Sequence, residues 1–206
     1  MFEIKNYTSF VIAVAVFQLI PGPGTIAILN ATVRNGVLAG GAGVLGTIAG
    51  DFVFMVAAVS GLAAIMYANP FVLEALQWFG AVYLVWMGLQ LLRAQGGGFE
   101  LTAEPKRSPV DYFRQAFAVS LSNPKVILFF VSFFPLFLAP NASMITLGVM
   151  MVHITVLSLL YQGLLVLLGN RVARGLRKLP SAKLVAIRLA GMALVGLGIK
   201  LAAFNR

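Results

Sequence analysis

Long uncharged stretches restrict the fold of this chain more than any other feature. Residues 126 to 170 contain no Asp, Glu, Lys or Arg over 45 positions, and residues 6 to 33 contain none over 28. Residues 35 to 73 contain one charge, Asp51, and residues 75 to 92 add 18 uncharged positions. Because about 20 apolar residues in a helix span the hydrocarbon core of a membrane, these runs predict several transmembrane helices.

The composition supports a membrane protein and excludes other classes. Of the 206 residues 10% are charged, whereas an average soluble domain has about 25% charged residues. The chain has no cysteine and one histidine, His153. These counts exclude disulfides and thiol catalysis, and they make a metal site or a hydrolytic triad improbable. We therefore expect neither an enzyme nor a bound cofactor.

Turn residues divide the uncharged runs into six predicted helices. The segment Pro140-Asn141-Ala142-Ser143 lets the 45-residue stretch fold back, and Tyr67-Ala68-Asn69-Pro70 separates the second helix from the third. A cleaved signal peptide is the alternative for the first helix, but its apolar stretch is too long and lacks a small-residue cleavage site. The predicted helices cover about residues 8–33, 37–66, 70–93, 112–139, 143–169 and 184–204.

The basic residues predict how the helices are oriented. Eleven of the 15 Lys and Arg residues lie in or beside loops one, three and five, whereas Lys5, Lys200 and Arg206 lie on the opposite side. By the positive-inside rule the odd-numbered loops are cytoplasmic and both termini are outside. This distribution explains the net charge of +9 without a nucleic-acid partner. Residues Arg171 to Lys178 are candidates for contact with anionic membrane lipid, with a solvated positive-inside anchor as the favoured alternative.

A polar segment over about residues 94–111 divides the single transmembrane domain, residues 1–206, into two halves. Pro105 and Pro109 interrupt this segment and discourage any helix within it. We predict a cytoplasmic loop there, between a first repeat over about residues 1–93 and a second over about 112–206.

A shift of 102 residues aligns the two halves. It places Pro21-Gly22-Pro23 on Asn123-Pro124-Lys125 and Asp51 on His153. Because each half has three helices, the halves must cross the membrane in opposite directions. Inverted repeats with interrupted helices are typical of secondary transporters. The sequence thus predicts an all-α polytopic membrane protein with two inverted three-helix repeats.

Two motifs interrupt predicted helices at membrane depth. Pro21-Gly22-Pro23-Gly24 lies about 13 residues into the first helix, and Asn123-Pro124-Lys125 lies in the fourth. Proline removes an amide donor and glycine lets the chain turn. Backbone groups freed at a break need partners in protein or in a water-lined cavity. We expect both motifs to bind substrate or an ion, with a plain proline kink as the alternative.

Asp51 and Lys125 are the charges predicted at membrane depth, where ionisable groups are costly and usually functional. Lys125 faces a substrate carboxylate, caps freed carbonyls or reaches to the interface. Asp51 binds a substrate ammonium, transfers a proton or forms a salt bridge to Lys125. Histidine is the residue type whose charge changes most readily at physiological pH, so His153 is a second candidate for proton coupling, with an interhelical hydrogen bond as the alternative.

Small and polar residues add two expectations. A row of glycines on one face of the second helix predicts close helix packing and permits a homodimer. This row consists of Gly36, Gly40, Gly43, Gly46 and Gly50. Further polar residues either line a cavity or form interhelical hydrogen bonds: Gln18, Asn30, Gln77, Gln90 and Gln162.

Two segments resemble the LysE/RhtB family of amino-acid exporters, PGPGTIAILNATVRNGVLAGGAGVLGTIAGD in the first half and SNPKVILFFVSFFPLF in the second. The resemblance covers the full length. It implies export of amino acids across the bacterial inner membrane in exchange for protons. Gly24 is a departure, since members often have a polar residue there. The implied functional residues are Pro21, Gly22, Pro23, Asn123, Pro124 and Lys125, with less support for Asp51.

The leading hypothesis is a secondary exporter of a small amino acid. The single buried acid favours a neutral substrate such as threonine, homoserine or leucine. A metal-cation exporter is an alternative, against which the lack of Cys and the scarcity of His and acids argue. A non-transporting membrane scaffold or accessory subunit is the other. The chain has no Walker A motif and is not expected to hydrolyse ATP.

Overall fold

Seven α-helices make up the part of the chain that the computed structural model describes, residues 4–20, 22–68, 70–93, 107–138, 142–169, 171 and 180–204. They are α1 (Tyr7–Leu19), α2 (Pro23–Ala68), α3 (Pro70–Arg93), α4 (Pro109–Leu121), α5 (Pro124–Leu136), α6 (Met144–Leu167) and α7 (Pro180–Phe204). These ranges hold no strand, only an isolated bridge between Ile4 and Leu138. The predicted all-α class is confirmed. Most of the predicted loop over 94–111, Pro21 and the turn at Pro140-Asn141 lie outside the described residues.

Helix α2 contains the turn between the first two predicted helices. Its helical geometry is interrupted at Gly36, where φ is 80° and ψ is −171°. Only glycine adopts such a positive φ without strain. A Cβ on Gly43 would lie 3.6 Å from Ile28, although 15 residues of straight helix span about 22 Å. The chain therefore folds back at Gly36, which was wrongly predicted to belong to the glycine face.

The first residues of α4 and α7 correct two predicted boundaries. Pro109 was expected to prevent a helix, yet α4 begins there, and α7 begins at Pro180 rather than near residue 184. Proline is tolerated at the first helical position because that amide has no partner inside the helix. Ser108 supplies the cap: its Oγ accepts from the Asp111 amide at 3.3 Å, and its amide donates to Asp111 Oδ2 at 3.1 Å.

Both predicted helix interruptions are present. Helix α1 ends at Leu19 and α2 begins at Pro23. Helices α4 and α5 are inclined by 60° to each other. At this second break Asn123 caps α5, with its Oδ1 accepting from the Lys125 amide at 3.1 Å.

By length and composition, four helices within the described ranges are apolar enough to cross a membrane, and the bent pair of α4 and α5 makes a fifth. Helix α1 has 13 residues and is too short to span alone. The six-span arrangement with two inverted repeats stays a prediction. The four candidates are Pro23–Leu62, which contains the fold-back at Gly36, Glu74–Arg93, Met144–Leu167 and Leu184–Ala203.

Glycines on α2 let neighbouring helices approach closely. A Cβ on Gly46 would collide with the Phe113 carbonyl of α4, and one on Gly50 would lie 2.6 Å from Ser120 Cβ. The predicted packing role holds for these positions. At these positions the face is occupied by α4 of the same chain, and the possible homodimer stays a prediction.

Candidate functional site

The two helix breaks border the same cavity, of about 60 Å³. Five residues of the predicted substrate site line it: Gly22, Gly24, Asp51, Asn123 and Lys125. Eight more complete the lining: Phe17, Gln18, Ile20, Thr25, Thr47, Ser120, Val126 and Gln162. Pro23 and Pro124 begin α2 and α5 beside the cavity. The cavity thus joins residues that are about 100 positions apart in sequence.

Asp51 reaches the cavity from α2 and is held by α4. The Ser120 hydroxyl donates to its Oδ1 at 2.6 Å. Gly50 makes this contact possible, because it has no side chain to keep Ser120 away. Asp51 and Lys125 interact electrostatically, but among the described residues no hydrogen bond joins them. The predicted salt bridge is therefore replaced by a carboxylate–hydroxyl bond.

Lys125 extends from the second break to the first. Its Nζ lies 3.5 Å from the carbonyl oxygen of Ile20 and 4.4 Å from the centroid of the Phe17 ring. A cation is attracted to the face of an aromatic ring. The predicted capping of a freed carbonyl is therefore present, and the carbonyl belongs to the opposite break. Phe17 in turn stacks on Phe129 at 3.6 Å between centroids.

The first turn of α2 offers backbone donors to the cavity. The first amides of a helix have no partner inside it. Here Pro23 has no N–H, and among the described residues the first amide bonded within the turn is that of Ile26, which donates to the Gly22 carbonyl at 3.0 Å. The amides of Gly24 and Thr25 precede it, and both residues line the cavity. Together with the Lys125 ammonium they form a region suited to a negatively charged group.

His153 lies outside this cavity. Its Nδ1 is 2.8 Å from the Val149 carbonyl of the same helix. Its ring meets the edges of Tyr7, at 5.7 Å between centroids, and of Phe10, at 6.4 Å. The alignment of Asp51 with His153 therefore does not bring the two side chains into the same site.

Some of the polar residues predicted inside the helices line the cavity, and the others lie elsewhere. Gln18 donates to Ser158 of α6 and also lines the cavity. Gln77 donates to the carbonyls of Pro135 and Leu138 at 3.0 and 3.2 Å, and so stabilises the end of α5. Gln162 lines the cavity, whereas Gln90 is exposed and Asn30 has a buried Oδ1 without a partner among the described residues.

Sequence reasoning missed Thr25, Thr47 and Ser120. The position of Thr47 carries a signal, since it lies four residues before Asp51 and therefore on the same helix face. The sequence contains no comparable signal for Ser120, because its contact with Asp51 depends on the packing of α4 against α2.

The sequence matches the LysE type translocator family over residues 15–204. A leucine efflux protein of Klebsiella pneumoniae subsp. pneumoniae is 30% identical, over 98% of this chain and 96% of that protein. An uncharacterized membrane protein of Pseudomonas aeruginosa is 33% identical, over 97% and 95%. A leucine efflux protein of Enterobacter sp. is 29% identical, over 99% and 98%. No solved structure matches the chain significantly.

The apolar helices, the two helix breaks and the family match over most of the sequence agree with one another. The chain belongs to the LysE type translocator family and is a multi-pass membrane transporter.

Proposed function

We propose that this protein exports a small neutral amino acid, with leucine as the first candidate, across the bacterial inner membrane. One observation carries the proposal: a single cavity holds a carboxylate, Asp51, and an ammonium, Lys125, that are not hydrogen-bonded to each other. Two separate opposite charges match the two charges of an amino acid. The similarity to two leucine efflux proteins supports the choice of substrate.

The lining gives each part of such a substrate a partner. Its carboxylate faces Lys125 and the amides of Gly24 and Thr25, and its ammonium faces Asp51. An apolar side chain packs against the apolar part of the lining, which includes Phe17 and Val126.

Transport requires this cavity to open. We propose that the two breaks act as hinges and that two inverted repeats rock about the cavity. In this arrangement α1 with the first section of α2 is one span, and α4 with α5 is another. Six spans then place both termini on the same side of the membrane, and the positive-inside rule makes that side the outside.

Proton antiport follows from competition at Asp51. It is the only carboxylate among the described residues that line the cavity. One carboxylate does not hold a proton and a substrate ammonium at the same time, so release of the substrate outside lets a proton take its place. His153 is the second candidate for proton coupling, although its ring lies outside the cavity.

The test is export of leucine from preloaded cells by the wild type and by Asp51→Asn. We expect leucine export by the wild type, and a rate about tenfold lower for the variant at equal membrane insertion. Glu74→Gln is the matched control, because Glu74 is exposed and does not line the cavity. Wild-type rates for Asp51→Asn would contradict the assigned role, and a wild type that exports none of the common amino acids would contradict the function.

The same cells separate the two other functions. A metal-cation exporter predicts metal sensitivity when the gene is deleted, although the described residues contain no group of three His, Cys, Asp or Glu. A scaffold predicts that both breaks tolerate replacement by Leu and Ala without loss of phenotype.

A further inference from the structure

Two buried oxygen atoms at the cavity have no hydrogen-bond partner among the residues that the structure describes. Thr47 is 7% exposed and Gln162 is 6% exposed. Thr47 Oγ1 and Gln162 Oε1 meet no donor or acceptor in the described part of the protein. Leaving a buried polar group unpaired is costly, so a partner from outside the chain is the simplest reason to keep it.

Three residues of the same types outside the cavity are paired. Thr32 and Thr155 each donate to the carbonyl four residues earlier, both at 2.8 Å, as threonines within helices commonly do. Gln77, which is as buried as Gln162, donates to two carbonyls. Thr47 and Gln162 therefore differ from residues of their own types outside the cavity, although Asn30, Asn35 and Ser132 also have a buried oxygen without a partner among the described residues.

The position of the two oxygens indicates the chemistry of the missing partner. Thr47 lies one helical turn before Asp51 on the same face of α2, and Gln162 lines the same cavity from α6. A carboxylate, a hydroxyl and an amide oxygen together accept hydrogen bonds from a group with several N–H donors. The donors in the lining, Lys125 and the first amides of α2, suit a carboxylate instead.

We infer that Thr47 and Gln162, together with Asp51, form the subsite for the ammonium group of the transported amino acid. This inference rests on the proposed function and adds two binding residues to it. Because Thr47 Oγ1 and Gln162 Oε1 hold no hydrogen bond within the described residues, the free-energy cost of burying them is recovered when the substrate binds.

The first experiment compares stability with binding in purified protein. For Thr47→Val and Gln162→Met we expect an unchanged or higher melting temperature, and an apparent affinity for leucine about tenfold lower. Thr155→Val and Gln77→Met are the matched controls, since the same changes there remove hydrogen bonds outside the cavity. These controls should lower the melting temperature and leave the affinity for leucine unchanged.

The second experiment identifies the group that is bound. 3-Methylbutylamine has the ammonium of leucine without its carboxylate, and 4-methylpentanoate has the carboxylate without the ammonium. We expect Thr47→Val and Gln162→Met to weaken competition by the amine and not by the acid, and Lys125→Met to do the reverse.

The outcomes separate this inference from the proposed function. If the wild type binds leucine and both variants bind it equally well, the oxygens are paired by water alone and the subsite is wrong. Equal loss for the amine and the acid would also overturn it. A wild type that binds no amino acid overturns the proposed function and the subsite together.

Discussion

The Lys125 ammonium lies 3.5 Å from the carbonyl oxygen of Ile20, so the side chain at one helix break ends at the other. A carbonyl freed by a break requires a donor when no water reaches it. A substrate carboxylate that binds Lys125 competes with this carbonyl. Binding of the substrate therefore acts on the contact between the two breaks, where the proposed hinges lie.

Replacing Lys125 tests this relationship. Lys125→Met removes the positive charge, and we expect leucine export to fall by about tenfold because a charge-assisted hydrogen bond is lost. Lys200→Met is the matched control, since Lys200 donates to Ser9 at 3.0 Å and does not line the cavity. Equal rates for both variants and the wild type would rule out a role for Lys125.

Ser120 should act through Asp51. Ser120→Ala removes the 2.6 Å hydrogen bond to the carboxylate. We expect a higher apparent KM for leucine, with a smaller loss of export than Asp51→Asn causes. Ser122→Ala is the control two residues away, because the Ser122 hydroxyl donates to the Ala118 carbonyl at 2.7 Å and is exposed. A KM that stays at the wild-type value for Ser120→Ala contradicts the positioning role.

Close packing of α2 on α4 predicts a difference between glycines. Gly46→Ala places a methyl group against the Phe113 carbonyl, whereas a Cβ at Gly61 meets nothing within 4 Å. We expect Gly46→Ala to lower the melting temperature of the purified protein. Gly61→Ala should leave it unchanged or raise it, because alanine favours a helix over glycine by about 1 kcal/mol in water. Equal melting temperatures would contradict the tight contact.

His153→Gln tests which group couples export to protons. The side chain lies outside the cavity, beside Tyr7 and Phe10, so we expect leucine export driven by a pH gradient to persist. Asp51→Asn should lose this response. Loss of the pH-driven component in His153→Gln alone, with leucine exchange retained, would assign proton coupling to His153 instead.

Much of the fold follows from local sequence properties. Uncharged length determines where helices lie, and Pro, Gly and Asn determine where they stop, because both effects act within a few residues. The breaks before Pro23 and Pro124 and the turn before Pro70 follow in this way. The sequence did not show whether a proline prevents a helix or begins one. Pro109 was expected to discourage a helix, yet α4 begins there.

In the candidate site, too, local sequence predicts some features and the tertiary structure determines the others. The cost of charge in a membrane was enough to identify Asp51 and Lys125 from the sequence. Their partners were decided by the rotation and neighbours of each helix, which no short segment encodes. Asp51 pairs with Ser120, 69 residues away, because Gly50 lets α4 approach. Within the described residues Gln162 Oε1 has no partner while Gln77 donates to two carbonyls, because the two side chains meet different neighbouring helices. Burial and partnership are properties of packed helix faces, so only the tertiary structure determines them.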